Sequence, residues 1–335
     1  MLDIVAKRGW YFLFSALLIL PGLLSMIMPP GGWSTLNSGL RPGIDFTSGS
    51  VLDITFTREV TQGEIQQRMD ALGHPEALIQ STGRRSVLIR TKQLKEASGE
   101  ERAERQLIQE DLEKSLGTTI ESAAFDSISP IIAQETVRNT VFAMVAASLF
   151  ILFFIWYAFR RAPKAYRYGI SAVIALLHDV LIVLGIFSIL GRVINMEVNT
   201  TFIIGILTVA GYSVNDTIVV FDRIRENVIR HPDRAFPALV NSSIIETVGR
   251  SLNTSFTTFL ILLAMLLIGG ASIRGLLLVV AIGVVVGTYS SIFIASQFLV
   301  IWEREEFGKV FRLGRRAPGA AATGLMHFML HIMGR

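Results

Sequence analysis

Hydrophobic and polar positions alternate along this chain on the scale of whole helices. Five long apolar stretches run from about Trp10 to Met28, Thr140 to Phe159, Tyr168 to Leu190, Thr200 to Phe221 and Leu276 to Ile301. A bilayer core of about 30 Å is crossed by roughly 20 helical residues, so each can span. A further stretch, fifth in chain order, is less plain. Its purely apolar part, Phe259 to Ile268, is too short. It reaches full length only by starting near Arg250 and taking in Asn253, Thr254, Ser255, Thr257 and Thr258. A span with so many polar groups is expected to turn them toward other helices. The first stretch has the position of a signal peptide. Its length, and the Pro29-Pro30-Gly31-Gly32 run after it without a small-x-small cleavage site, predict an uncleaved anchor instead.

Between spans one and two the pattern changes to short elements. Val51 to Phe56 alternates as a strand does. Thr61 and Glu64 have capping-box spacing before a helix that runs to about Leu72 and stops at Gly73. Ala77 to Ser81 and Ser86 to Thr91 read as strands joined by Thr82-Gly83-Arg84-Arg85. Ser98 to Leu116 is strongly helical, with Ser98 and Glu101 in capping-box spacing and Gly117 as a stop. Thr118 to Phe125 reads as a last strand. The order β-α-β-β-α-β is the ferredoxin-like one.

The expected fold is therefore an α-helical integral membrane protein of six transmembrane helices, with an extracytoplasmic α+β ferredoxin-like domain (βαββαβ) between helices 1 and 2. The expected organisation is a cytoplasmic N-terminus (1–9), transmembrane helix 1 (10–28), the extracytoplasmic domain (29–136), helices 2–6 (137–301) and a cytoplasmic tail (302–335).

Charge placement supplies the orientation. Arg160, Arg161, Lys164 and Arg167 crowd the loop after span two, and Arg223, Arg225, Arg230 and Arg234 the loop after span four. Lys7 and Arg8 precede span one; Arg304, Lys309, Arg312, Arg315 and Arg316 follow span six. The opposite short loops hold only Arg192 and Arg274. The positive-inside rule then puts both termini in the cytoplasm. Of the 335 residues, 51% are hydrophobic and only 17% charged. Soluble domains carry about 25% charged residues, and the deficit points to lipid as part of the solvent. The net charge of +4 is read as these flanking cations, not as a nucleic-acid surface. Cysteine is absent, which excludes disulfides, thiolate metal sites and a cysteine nucleophile. In the tail, His327 and His331 stand four apart in a Met-rich apolar segment. With no third ligand nearby, the segment reads as an interfacial helix or an irregular end, not a metal site.

Ionisable groups inside a membrane are costly and so mark functional candidates. Span three carries His178 and Asp179 near its midpoint, span four carries Asn215 and Asp216, and span five begins at Arg250. Thr208, Gly211, Tyr212, Asn215, Asp216 and Val219 fall on one helical stripe. Gly205 and Gly211 would admit a close neighbour. Arg250, Asn253, Thr254, Thr257 and Thr258 repeat the spacing on span five. Two such stripes can face each other, with Arg250 stabilising the ionised carboxylate and burial opposing it. The residues alone leave three readings of Asp216 and Arg250 open: a proton-carrying pair, a static packing pair, or an arginine at the lipid headgroups. There is no G-x-x-x-x-G-K-[ST] loop, no H-E-x-x-H and no G-x-S-x-G. Asp179 and Asp216 lack the Tyr-Asp and Gly-x-Gly-Asp surroundings of intramembrane aspartyl proteases. Nothing in the sequence requires a cofactor.

Four stretches resemble the SecD/SecF family of bacterial protein-export membrane proteins, its SecF branch, within the RND superfamily. They are Gly43-Ile44-Asp45-Phe46-Thr47-Ser48-Gly49, His178-Asp179-Val180, Gly211 to Glu226, and Arg250-Ser251-Leu252-Asn253-Thr254-Ser255. The resemblance runs from about residue 8 to about residue 305. The first stretch departs from the family pattern, which has Gly-Gly where Ser48-Gly49 stands. The resemblance implies half of an RND-type bundle in the bacterial inner membrane. The implied partners are a SecD chain, the SecYEG channel with SecA acting upstream, and the translocating preprotein. It further implies a non-enzymatic role that uses the proton motive force. Asp216 and Arg250 would be the proton-coupling residues, with His178, Asp179, Asn215, Asn253 and Thr254 as supporting polar groups. Asp45 is read as a turn-former, and the loop from Asp222 to Glu246 as solvating the inner face. Half of an RND-type exporter and a scaffold that uses no protons remain as alternatives.

Overall fold

The computed structural model describes residues 3–28, 39–95, 103–160, 162, 164–194 and 196–303. Within them lie six helical segments long and apolar enough to cross a membrane: Val5–Ile27, Pro130–Ala158, Tyr166–Val193, Thr200–Arg230, Phe236–Ile268 and Ile273–Glu303. A short turn at Val5–Lys7 leads into α1 (Arg8–Ile27). The α+β domain follows as β1 (Arg41–Pro42), α2 (Ile44–Thr47), β2 (Gly49–Phe56), α3 (Gln62–Ala71), β3 (Leu78–Ser81), β4 (Ser86–Thr91), α4 (Glu104–Leu116) and β5 (Ile120–Ile128). Then come α5 (Pro130–Ala158), α6 (Tyr166–Val193), β6 (Glu197–Val198), α7 (Thr200–Arg230), α8 (Phe236–Ile268), α9 (Ala271–Ser290), a π-helical segment (Ser291–Ala295) and α10 (Ser296–Glu303).

The domain sheet has strand order β3-β4-β2-β5 with every neighbour antiparallel. That is the ferredoxin-like order, and β2 lies inside the sheet. Alternate residues of β2, Leu52, Ile54 and Phe56, are fully buried against Ile65 and Met69 of α3 and Ile108 and Leu112 of α4. The Thr61–Glu64 capping box forms as the sequence predicts. Gly117 ends α4 at φ 58°. The expected start of that helix at Ser98, with its Glu101 partner, lies outside the described residues, as do Arg161 and the tail with His327 and His331. Ser48 (φ 63°, ψ 170°) and Gly49 (φ 127°) form the turn from α2 into β2. Both lie where glycine alone is relaxed. A Gly-Gly pair would fit there without strain.

Two helices are longer than their apolar cores suggest. The sequence places a loop from Asp222 to Glu246. Instead α7 runs to Arg230 and α8 starts at Phe236, leaving a five-residue turn. Arg223 pairs with both Glu226 and Glu246, Arg225 with Asp222, and Arg230 with Glu226. The Arg223–Glu246 pair ties the two arms of this helical hairpin together, and the other three pairs lie along α7.

Close packing of α7 on α9 sets the middle of the bundle. Gly205 receives Val279, Val209 fits over Gly283, and Ser213 sits on Gly287. These residues repeat every four positions on each helix, so the ridges interlock. Gly211, by contrast, has open space where a Cβ would be. Of the two glycines expected to admit a neighbour, only Gly205 does so within this chain. Gly22 of α1 meets Gly185 of α6 backbone to backbone, a small-residue crossing of the kind membrane helices use.

Candidate proton-coupling site

Asp179 is fully buried at the centre of the bundle, where α6, α7 and α9 converge. One carboxylate oxygen, Oδ2, accepts from the Ser213 hydroxyl of α7 at 2.6 Å and from the Ser290 hydroxyl of α9 at 2.7 Å. The other, Oδ1, lies 3.0 Å from Nδ1 of the buried His178. The far ring nitrogen, Nε2, lies 2.9 Å from Ser15 Oγ of α1. Ser15 donates to the Tyr289 hydroxyl at 3.3 Å, and Tyr289 donates to the Tyr11 carbonyl at 2.8 Å. With the Ser15 proton committed to Tyr289, His178 Nε2 must be a donor. The two side chains thus join α1, α6, α7 and α9 through one continuous chain of hydrogen bonds.

Directly beside it the last span carries its π-helical segment, a feature often found at functional sites. Ser291, its first residue, lies 2.9 Å from Thr217 Oγ1 and donates to the carbonyls of Gly287 and Ser213. Sequence reasoning misses Ser15, Ser213, Tyr289, Ser290 and Ser291. The visible signal for two of them is the Ser-Ser pair Ser290-Ser291 in the last span.

Asp216 is buried, 5% exposed, on α7. Its Oδ2 has no hydrogen-bond partner among the described residues. Ser251 of α8 faces it, without hydrogen-bond geometry, and its own hydroxyl is likewise buried and unpaired. The expected pairing with Arg250 is not formed. The buried stripe of α8 is Ser243, Ile244, Thr247, Ser251 and Ser255. Small side chains let α8 lie close on α7, and this turns the neighbouring stripe outward. Arg250, Asn253, Thr254 and Thr257 are exposed on the surface of the chain. Thr254, Thr257 and Thr258 bond back to carbonyls of their own helix, which lets them sit in an apolar setting. Asn215 of α7 is exposed, as are Thr208 and Gly211. Their positions continue the uncovered polar stripe on α7. The predicted residues thus divide into His178 and Asp179 deep in the bundle, Asp216 against Ser251, and Asn215, Arg250, Asn253 and Thr254 on an outward face.

Six membrane-length helices, an α+β domain inserted after the first, and ionisable groups buried at mid-bundle define half of an RND-type membrane unit. Residues 108–305 match the family described as protein export membrane protein SecD/SecF, C-terminal, and residues 33–60 match the SecD/SecF GG motif. The chain belongs to the SecD/SecF family. It is similar to the protein translocase subunit SecF of Thermobaculum terrenum, 41% identical over 96% of this chain and 100% of the relative. The protein translocase subunit SecF of Anaerolinea thermophila is 35% identical over the same shares. Among solved structures, it is similar to SecDF of Thermus thermophilus, a translocon-associated membrane protein, with a TM-score of 0.74 and 30% identity over 90% of this chain. A second SecDF structure, in a super-membrane-facing form, gives a TM-score of 0.56 and 28% identity over 91% of the chain. The chain spans 39% of the length of each SecDF chain. The family and the six apolar helices make this a multi-pass membrane protein of the protein-translocation machinery, and its relatives are named as transport subunits, not as catalysts of a reaction.

Proposed function

We propose that this chain is an auxiliary, non-enzymatic subunit of the Sec translocase that works with SecD and uses the proton motive force to promote preprotein export. It sits in the bacterial inner membrane with both termini in the cytoplasm and the α+β domain outside, beside SecYEG, after SecA has started the preprotein. The single observation that carries this reading is the uncovered polar face of α7 and α8. Asn215, Arg250, Asn253 and Thr254 are exposed along two helices long and apolar enough to cross a membrane. Lipid is a poor solvent for an arginine and two carboxamides. A second six-span half covering that face removes the cost, and a SecDF chain more than twice this length supplies the precedent.

Asp216 and Arg250 are the proton-coupling residues in this proposal, with His178, Asp179, Asn215, Asn253 and Thr254 supporting. A neutral Asp216 carboxyl suits the arrangement beside Ser251. An ionised one needs a cation. Arg250 is one residue from Ser251, so turning α8 by about 100° brings the guanidinium round to the carboxylate. Proton uptake from outside and release inside would alternate these two arrangements, tilting the domain. One charge crossing 100 mV supplies about 2.3 kcal/mol, enough to bias such a two-state element about fifty-fold. Export of a preprotein into vesicles holding the partner subunits, with and without a proton gradient, tests the reading. Asp216→Asn should assemble normally and remove the gradient-dependent part of export. A scaffold, or an exporter of small molecules, would leave that part intact.

A further inference from the structure

The Gly43–Gly49 stretch, read from sequence as a simple turn, reaches far across the fold. Asp45 Oδ2 accepts the backbone N–H of Thr200, the first residue of α7, at 2.7 Å and across 155 sequence positions. The Gly43 N–H donates to the Val198 carbonyl at 2.7 Å. Arg41 and Pro42 form a parallel pair with Glu197 and Val198. From β4, Arg90 makes an ion pair with Glu197. Gln80 of β3 reaches the Ile194 carbonyl at 3.5 Å. Burial pushes the Arg90 guanidinium down to about 10, with Arg41 adding to the shift and Asp45 opposing it. So Arg41, Asp45, Arg90 and Glu197 form one charge cluster where the domain meets the bundle.

The α7 terminus has its ordinary cap already. The Asn199 side chain accepts the Phe202 N–H at 3.0 Å. Asp45 is a second acceptor, delivered from a remote segment, and its charge suits the positive end of a helix. Directly after α2, the Ser48-Gly49 turn passes the chain into β2, which lies inside the domain sheet and not at its edge. A stiff path therefore leads from the α7 terminus through Asp45 to the middle of the domain. At the middle of the same helix, Asp216 lies 16 residues from Thr200, about 24 Å along the axis.

We propose that Asp45 and its turn are the mechanical joint between the α+β domain and α7, so that Asp45 is a positioning residue for the helix that carries Asp216. The functional arm of this proposal rests on the proton-driven reading above; the physical arm does not. Two substitutions break the same contact from opposite sides. Asp45→Ala removes the acceptor. Thr200→Pro removes the donor at the first helical position, where proline is well tolerated. The preceding residue, Asn199, already has the extended backbone (φ −126°, ψ −176°) that proline demands. Asp45→Asn keeps an acceptor and serves as the control that folds alike.

The experiment uses the full chain with its SecD partner in lipid nanodiscs. The chain has no cysteine, so spin labels at Ala123→Cys in the domain and Val193→Cys at the end of α6 report one distance distribution. Asp45→Ala and Thr200→Pro should each widen it, raising the displaced population about fivefold, the factor that the loss of one cap corresponds to. Asp45→Asn should leave it narrow. Gradient-driven export should fall in the first two variants and persist in the third. Unchanged distances in both breaking variants would overturn the proposal, and so would widened distances with export fully retained. If the unsubstituted chain itself shows no gradient-driven export, the proton-driven reading fails. The distances alone then decide, widening supporting the joint and constancy refuting it.

Discussion

The tightest contact in the bundle gives a sharp test of how the buried dyad is held. A Cβ added at Gly283 would overlap Val209 Cγ2 and lie 2.5 Å from Val209 Cγ1 and 2.8 Å from Val209 Cβ. Apolar carbons settle at about 3.5–4.0 Å, so Gly283→Ala must part α7 from α9 by at least about 1 Å. Overpacking of this kind costs about 1–3 kcal/mol. With so deep an overlap the upper part of that range applies; the higher helix propensity of alanine returns up to about 1 kcal/mol, leaving a net loss of about 1–2 kcal/mol. The same displacement acts on the site. Ser213 is one turn along α7 from Val209 and donates to Asp179 at 2.6 Å. A shift of about 1 Å takes that bond beyond hydrogen-bonding range. Thermal unfolding in nanodiscs reads the loss. Val209→Ala removes the two clashing methyls and leaves only its Cβ in the way, so the double variant should recover part of it, with a coupling of about 1 kcal/mol in a double-mutant cycle. If Gly283→Ala unfolds at the same temperature as the unsubstituted chain, or if Val209→Ala adds its own cost without rescue, this packing account is wrong.

Other expectations follow from single residues. Ser48→Gly relieves a backbone conformation that costs about 1–3 kcal/mol and gives back part of the gain as chain entropy, so the melting temperature should rise; a fall would mean that Ser48 is not strained. Asp179→Ala strands the His178 ring and the Ser213 and Ser290 hydroxyls in the core, a loss of about 3–5 kcal/mol that should appear as poor assembly or a much lower melting temperature. The backbone N–H of Thr61, and next its hydroxyl, hold the Glu64 carboxyl below its ordinary value of 4.5. A depressed carboxylate stabilises the fold above that value and loses its contribution as pH falls through it. Amide protection at the start of α3, measured against the unfolded chain at the same pH, should therefore fall below pH 4.5, and Glu64→Gln, which cannot titrate, should remove that pH dependence.

The parts of this structure legible in the sequence are those set by local pattern. Apolar length marks the six spans, strand alternation marks β2, the Thr82–Arg85 turn marks the strands on either side of it, and the Thr61–Glu64 spacing marks a cap. What stayed hidden depends on azimuth and on distant partners. On α8 two polar stripes lie one residue apart, Arg250-Asn253-Thr254-Thr257 and Ser243-Thr247-Ser251-Ser255. Periodicity finds both but cannot choose which faces α7. Packing chose the one with smaller side chains, and this left Asp216 opposite Ser251. The extra length of α7 and α8 was masked because Arg223, Glu226 and Glu246 look like loop residues until Arg223 pairs with Glu226 along α7 and with Glu246 across the hairpin. Ser290 reaches Asp179 from 111 positions away, and Asp45 reaches Thr200 from 155. No local rule carries contacts of that range.

The central claim is that Asp216 carries the proton that drives export. Its most direct test is preprotein export into vesicles containing this chain and SecD, with and without an imposed proton gradient, for the unsubstituted chain and for Asp216→Asn. The account predicts equal assembly and equal gradient-free export, with the gradient-dependent increment lost in the variant. An increment of full size in Asp216→Asn would contradict it and leave this carboxyl a packing element.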